Sequence, residues 1–482
     1  MRPIITILEE ELIEKVVAEA IEILEEIGFF VENQEAIEIL QKEGINVDFE
    51  KRRAKLPADL IKKSIKTSPS SISLYDREGV QVAQLEGENV CFDPGSAALN
   101  VLDSETNEIR SAVTKDFIDF TKVVEQLEYI HAQSTAIICS DVPEEVGDRY
   151  RLYLALIYSK KPIVTGTFTK ESFEIMKDML VAIRGSEEEL RQKPLAIFDA
   201  CPSPPLKWSD LTCQSIIDCA KYGIPSEFVS MPMTGANAPV TLLGAIVQHA
   251  AETLAGLVIT QLVSPGSPVI WGGSPAAFDM RKGTTPMGSI GTMMIDIGYT
   301  EIGKYLNLPT HAYLGMSDAK ILDAQSGFES GMGALLAGIK GVNMVSGAGM
   351  IDFETTQSIQ KVVIDNEICG MVYKFLEGIN QRDDPIAKDL LIDLEEKTHL
   401  LSHDHTLKWF REEHYIPSIV VDRATNEEWL NTGRKTIGDR AKERAKKLIE
   451  KYPGVTLEND FVKDLTDIMK YKDIDFQKKL DF

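Results

Sequence analysis

The sequence predicts an α/β fold: a (β/α)8 TIM barrel with an N-terminal helical cap and a C-terminal helical extension. Three observations carry this. Short, continuously apolar segments alternate with helical patterns from about residue 88 onward, as in a parallel sheet covered on both faces. Eight such units occupy about 290 residues, the number and length of a closed barrel. The first strand, in "CFDPGSAALNV", is not followed by the G-x-G-x-x-G spacing of a nucleotide-binding open sheet, which leaves the doubly wound fold as the alternative.

The chain divides into a cap over 1–87, the barrel over 88–380 and the extension over 381–482. In the cap, "LEEELIEKVVAEAIEILEEIGF" spaces apolar residues as a helix does, and Gly28 ends it; "NQEAIEILQKEGI" and "LPADLIKKSIKTS" follow as two more helices, and "SISLYDREG" as a hairpin. The barrel strands are read at "NVCFD", "YIHAQST", "PIVTGT", "LAIFDA", "SEFVSM", "SPVIWGG", "THAYLG" and "GVNMVS". Between them lie helices such as "DFIDFTKVVEQL", "SFEIMKDMLVAI", "CQSIIDCAKYG" and "TLLGAIVQHAAETLAGLVITQLV". The extension holds amphipathic helices at "RAKERAKKLIEKYPG" and "DFVKDLTDIMKY", with "HYIPSIVVDRATNEEWL" as a packed connector.

Composition narrows the function. A net charge of −24 argues against nucleic acid and anionic membranes as partners. No apolar run approaches a membrane span in length and the N-terminus is acidic, so a cytoplasmic protein is expected. None of the six cysteines forms C-x-x-C, and reduced core thiols are expected, with Cys201 in "FDACPSP" just past a strand end.

A barrel keeps its chemistry at the carboxyl ends of its strands. The segments found there are Asp93-Pro94-Gly95-Ser96, Ser140-Asp141, Gly166-Thr167, Asp199-Ala200-Cys201-Pro202, Met231 to Gly235, Trp271 to Ser274, Ser317 to Lys320, and Ser346 to Gly349. They describe a mostly neutral mouth of glycine, methionine and small hydroxyls, poor in histidine and paired carboxylates. His311 falls at the start of its strand, on the wrong face. His399, His403 and His405 lack a clear fourth ligand, so no metal site is expected. Gly272-Gly273 or Gly347-Gly349 offer amides to a phosphate, or simply permit turns. Phe92, Met231, Met233, Trp271, Met316, Met350 and Phe353 suit a large apolar or softly cationic guest, with Trp271 and Phe353 facing the cation or serving only the core.

"MTGANAPVTLLGAIVQHAAETLAGLVITQLVSPGSPVIWGG", "SDAKILDAQSGFES" and "GVNMVSGAGMIDFETTQSIQKVVIDNEICGM" resemble the trimethylamine:corrinoid methyltransferase superfamily, as does the tail "HTLKWFREEHYIPSIVVDRATNEEWLNTG". The resemblance runs from about residue 20 to the end. It implies a (β/α)8 barrel that moves an N-methyl group to the cobalt(I) of a separate corrinoid protein, with no cofactor bound by this chain. Gly235, Gly273, Gly347 and Gly349 would then let the corrinoid approach the backbone. Phe92, Trp271, Lys320, Ser346, Met350 and Phe353 would shape the substrate pocket, and the catalytic residues are left unassigned. Family members acting on trimethylamine carry pyrrolysine, and this chain has none. The resemblance therefore points to the quaternary-amine branch, with substrates such as glycine betaine, proline betaine, carnitine or γ-butyrobetaine. Lys320, Arg281 or the amides near Gly347 are candidates for a substrate carboxylate. The competing readings are a betaine-binding protein without turnover, a trimethylamine-type substrate, and a barrel lyase using Lys320 as a Schiff base. The expected partners are a corrinoid protein and a small quaternary amine; a homo-oligomer is compatible with the sequence.

Overall fold

In the computed structural model, which describes residues 2–482 apart from 96, 394–398, 455, 456, 458, 473, 477–479, 481 and 482, all eight apolar segments form strands. They are β1 (Cys91–Pro94), β2 (Gln133–Ser134), β3 (Ile163–Thr165), β4 (Ala196–Ala200), β5 (Ser226–Ser230), β6 (Val269–Gly273), β7 (His311–Tyr313) and β8 (Met344–Ala348). Ser96, part of the first rim segment, lies outside the described residues. Strands β2 to β6 pair in parallel order, and β7, β8 and β1 pair likewise. Hydrogen bonds join the arcs at both seams, among them His131 N–H to Phe92 O at 2.8 Å and Trp271 N–H to Pro309 O at 2.8 Å. The ring is closed, which removes the doubly wound alternative.

Local chemistry sets the helix ends. Thr241, Ser289, Asp323 and Ser358 accept N-terminal amides of the helices Leu242–Val263, Ile290–Tyr305, Ala324–Lys340 and Ile359–Leu376. The helix Leu242–Val263 is long and apolar enough to span a membrane, contrary to the sequence reading. It is apolar because it is buried between the cap and the barrel, and it carries Glu252 in its buried set.

The cap is not purely helical. Its helices Glu10–Glu26, Gln34–Lys42 and Ala58–Thr67 enclose short strands at Phe29–Val31, Val47–Asp48 and Arg53–Ala54, joined by Lys207–Trp208 from the barrel. The predicted hairpin pairs Ile72–Tyr75 with Gln81–Leu85. Its inward residues Ile72, Leu74, Ala83 and Leu85 pack against Ala132, Val164, Ile197, Ile270 and Met344, the first inward layer of the barrel. The hairpin therefore plugs the amino end. In the extension, the helix Ile437–Glu450 packs on Ile359–Leu376. The connector before it is largely exposed rather than packed. It is held at buried Val420 and at Tyr415, whose hydroxyl donates to Glu367 at 3.1 Å.

Leu74 is fully buried in the plug. Leu74→Ala should lower unfolding free energy by about 2–5 kcal/mol, measured by denaturant titration, because the cavity left is walled by strands that cannot collapse.

Candidate active site

Successive side chains of a strand point to opposite faces. Two residues beyond the apolar layer that meets the hairpin, the interior turns polar. Asp93 follows Cys91, Asp199 follows Ile197, Gly272 follows Ile270 and Ser346 follows Met344; Glu227 and His311 join them from β5 and β7. Ser346 Oγ–H donates to Asp93 Oδ1 at 2.6 Å, so His311 Nε2, 3.0 Å from Ser346 Oγ, must donate to that hydroxyl oxygen. Burial drives the His311 pKa down to about 3, which makes the ring neutral and leaves Nδ1 a lone pair. Glu227 Oε1 stands 3.2 Å from Nδ1. Burial, then the charges of Asp199 and Asp93, push the Glu227 carboxyl well above its usual range. A protonated Glu227 donating to a neutral imidazole satisfies both groups. Asp93 is likewise pushed up by burial, against the Ser346 bond. Gly272 makes room for this chain, since a Cβ there would stand 2.7 Å from His311 Nδ1 and 2.8 Å from Phe228 O.

Above this layer the mouth is lined by Val229, Tyr313, Met287, Met316 and Met350, with Met231 and Met233 packed beside them. Strand β8 is irregular between Val345 and Ala348, and the chain then folds back as Met350–Ile351 against Thr356–Gln357. Between these pieces Asp352, Phe353 and Glu354 all have left-handed φ, 52°, 56° and 67°. Consecutive non-glycine residues in that region are strained, and such strain clusters at functional sites. The turn brings the Glu354 carboxyl to Ser274, 3.5 Å away. Part of Glu354 reaches solvent, but its carboxyl is enclosed, and burial with Asp318 and Asp199 nearby pushes it up to about 8. Asp318 is raised to about 6 by burial although it accepts the amides of Met287 and Gly288 at 2.8 and 3.0 Å. No lysine or arginine forms an ion pair with Asp93, Glu227 or Glu354 among the described residues. The interior is thus rich in carboxyl groups, where the sequence reading expected a neutral mouth.

The residues singled out from sequence divide. Ser346 and Met350 lie inside, in the polar layer and the methionine layer. Phe353 and Lys320 meet at the rim, with Lys320 Nζ 3.7 Å from the ring centroid, 2.7 Å from Asp318 O and 3.6 Å from Asp352. The ring face thus holds the chain's own cation, and the half-exposed lysine is not desolvated as a Schiff-base nucleophile would be. Trp271 and Phe92 point outward by alternation. Trp271 Nε1–H donates to Tyr299 O at 2.9 Å, and Phe92 packs edge-on to Tyr373 at 5.7 Å. They belong to the barrel–helix seam.

Gly235 is exposed in the loop after β5; Gly273, Gly347 and Gly349 are buried. Gly349 N–H donates to Asp365 Oδ2 at 2.7 Å, so an internal carboxylate, itself bonded to Lys361 at 2.6 Å, takes the place suggested for a phosphate. Gly349 also requires its φ of +89°, and a Cβ would stand 2.5 Å from Gln357 Oε1. Arg281 pairs with Asp279 at 2.7 Å on an exposed loop. His403 is an N-cap, and His405 lies 3.4 Å from Asp383. Cys201 is exposed as a residue, but its sulfur is enclosed, and burial beside Asp199 pushes the thiol up, away from nucleophilic character. His311 is on the inner face, contrary to expectation. Glu227 and Glu354 were not singled out. Counting alternate residues from Asp93 and Asp199 along each strand is the signal that finds the inner layer.

A family model described as trimethylamine methyltransferase (MTTB) matches residues 1–476. The chain belongs to this family. A trimethylamine methyltransferase of Desulfitobacterium hafniense is 31% identical over 432 residues, 90% of this chain and 87% of its own length. One from Methanosarcina barkeri is 31% identical over 464 residues, covering 95% and 93%. A glycine betaine methyltransferase of Desulfitobacterium hafniense is 27% identical over 452 residues, covering 93% of each. Among solved structures, the monomethylamine methyltransferase of Methanosarcina barkeri shares the fold, with a TM-score of 0.55 at 13% identity over 94% of this chain and 90% of that one. The chain is a methyltransferase with a barrel fold.

The proton on Glu227 is testable through linkage. In the folded chain Glu227 keeps its proton where the unfolded carboxyl, near 4.5, has lost it, so the folded state binds more protons and stability falls as pH rises above 4.5. Glu227→Gln has no proton to lose. Its stability relative to the parent should climb by up to about 1.4 kcal/mol per pH unit above that point, read from denaturant midpoints. A difference flat with pH would show that Glu227 is ionised in the fold.

Proposed function

We propose that this methyltransferase moves an N-methyl group from a quaternary amine of the betaine type, such as glycine betaine, proline betaine, carnitine or γ-butyrobetaine, to the cobalt(I) of a corrinoid held by a separate protein. The observation that carries the reading is the acidic interior: Asp93, Glu227 and Glu354 have no ion-paired cation among the described residues, Asp93 and Glu227 lying beneath the layer of methionines and Tyr313 and Glu354 beside Ser274. A permanent cation with an apolar methyl shell complements that lining. The 27% identical glycine betaine methyltransferase and the absence of pyrrolysine support the same choice.

In the transfer the N–CH3 bond breaks as the Co–CH3 bond forms. The electron pair returns to nitrogen, a neutral tertiary amine leaves, and cobalt passes from the +1 to the +3 state. In-line attack needs orientation above all. The substrate loses its charge on the way, so ionised acids alone would favour the ground state. A carboxyl titrating near neutrality, as Glu354 does, can regain a proton while the ammonium disappears, which softens that penalty.

Purified protein mixed with a reduced corrinoid protein from the same source should methylate cobalt when given a betaine, followed by loss of the cobalt(I) absorbance, and trimethylamine should give little. Glu354→Gln should raise KM for the betaine by on the order of tenfold, the size of one partly screened charge contact. Rapid turnover of trimethylamine with every betaine inert would overturn the substrate assignment.

A further inference from the structure

Beside the acidic mouth lies a cavity of about 240 Å³, at the carboxyl ends of β2 to β4, lined among others by Arg151, Thr135, Thr167, Phe168, Asp199 and Cys201. Arg151 projects from the helix Gly147–Tyr158 and is 1% exposed. Its Nε–H donates to Gly147 O at 3.2 Å and Nη1–H to Thr135 O at 2.6 Å, while its guanidinium lies 4.5 Å from the Phe168 ring centroid. These contacts use two of its five N–H donors. Among the described residues no carboxylate stands within the 4.0 Å of an ion pair with it. Asp148, the nearest acid in sequence, is engaged by Phe168 N–H and Ser172 Oγ–H at 2.7 and 2.8 Å. Burial brings the Arg151 pKa down to about 10, so it is charged at neutral pH. Asp148 and Asp199 are the negative charges that act on it, and its remaining N–H donors border the cavity, where a carboxylate can meet them.

We infer that Arg151 anchors the carboxylate of the methyl donor, so that the substrate is a zwitterion spanning from this cavity to the acidic mouth. The inference rests on the quaternary-amine reading and narrows it. Asp199 belongs to both regions: it lines the cavity and interacts with Glu227 in the polar layer. The two subsites are therefore adjacent, the mouth presenting carboxyls and the cavity the Arg151 donors, as the two ends of a short trimethylammonium acid require. Planar donors in a fixed fork suit a carboxylate, and the hydroxyls of Thr135 and Thr167 line the same space. Neither tetramethylammonium nor an amino alcohol offers a carboxylate to these donors.

The test uses trimethylammonium acids from glycine betaine to γ-butyrobetaine beside the matching trimethylammonium alcohols, with dissociation constants from calorimetry and methyl transfer to the reduced corrinoid protein. The parent should bind its preferred acid at least about tenfold tighter than the matching alcohol, the range of a charge-assisted hydrogen-bond pair. In Arg151→Gln that ratio should fall to near one, and Arg151→Lys should restore part of it. A merely structural role would weaken acid and alcohol together and leave the ratio intact, whatever the loss of folded protein. An unchanged ratio in Arg151→Gln, or a parent with no preference for acids, would overturn the anchor alone. A parent that methylates cobalt from no quaternary amine would overturn the function proposed above and this inference with it.

Discussion

Glu227 and His311 face each other at 3.2 Å inside a barrel whose amino end is sealed by a hairpin, and the proton between them orders the rest of the site. Carboxyls so close in a low-dielectric interior cannot all ionise. One must stay protonated, and the geometry gives that proton to Glu227, which fixes the imidazole tautomer, which fixes the Ser346 hydroxyl, which donates to Asp93. Gly272 is the space this chain occupies. With an apolar layer beneath, the acids act upward, toward the rim.

The turn after β8 completes that field. Three successive left-handed residues cost on the order of 1 kcal/mol each or more. They persist because both flanks are pinned: Met350–Ile351 pairs with Thr356–Gln357, Thr355 Oγ1–H donates to Asp352 O at 2.8 Å, and Gly349 is tied to Asp365. What the strain secures is the direction of Glu354. The glycines of β8 therefore serve the backbone path and the bulge, and the side chain that path delivers is the acid. Arg151 adds the opposite charge at one side of the mouth, so the site has polarity along its length as well as depth.

The barrel was legible because each strand is a short apolar run between turn residues, and all eight segments appear where the pattern put them. The polar layer was legible only in part, for a physical reason: Asp93, Asp199 and Ser346 fall at the apparent strand ends, whereas Glu227 sits inside "SEFVS" and His311 at the start of "THAYLG", which set it aside as lying on the wrong face. Parity separates Asp93 from Phe92 and Gly272 from Trp271, and it sends both aromatics to the helix side. Arg151 had no local sequence signal at all. In the helix "GDRYRLYLALIY" every residue from Gly147 to Ile157 is buried, and only the fold shows the Arg151 guanidinium bonded to Thr135 O at the edge of a cavity.

The central claim is that a cation is recognised by carboxyls that hold protons until it arrives. Calorimetric binding of a betaine, repeated in buffers of different ionisation enthalpy, counts the protons exchanged. Asp318 and Glu354, raised to about 6 and about 8, bracket the working range, and an arriving cation lowers both. Between these values the account predicts net proton release, approaching about one per site on the acid side of 8 and fading above it. Binding without any proton release across that range would contradict it.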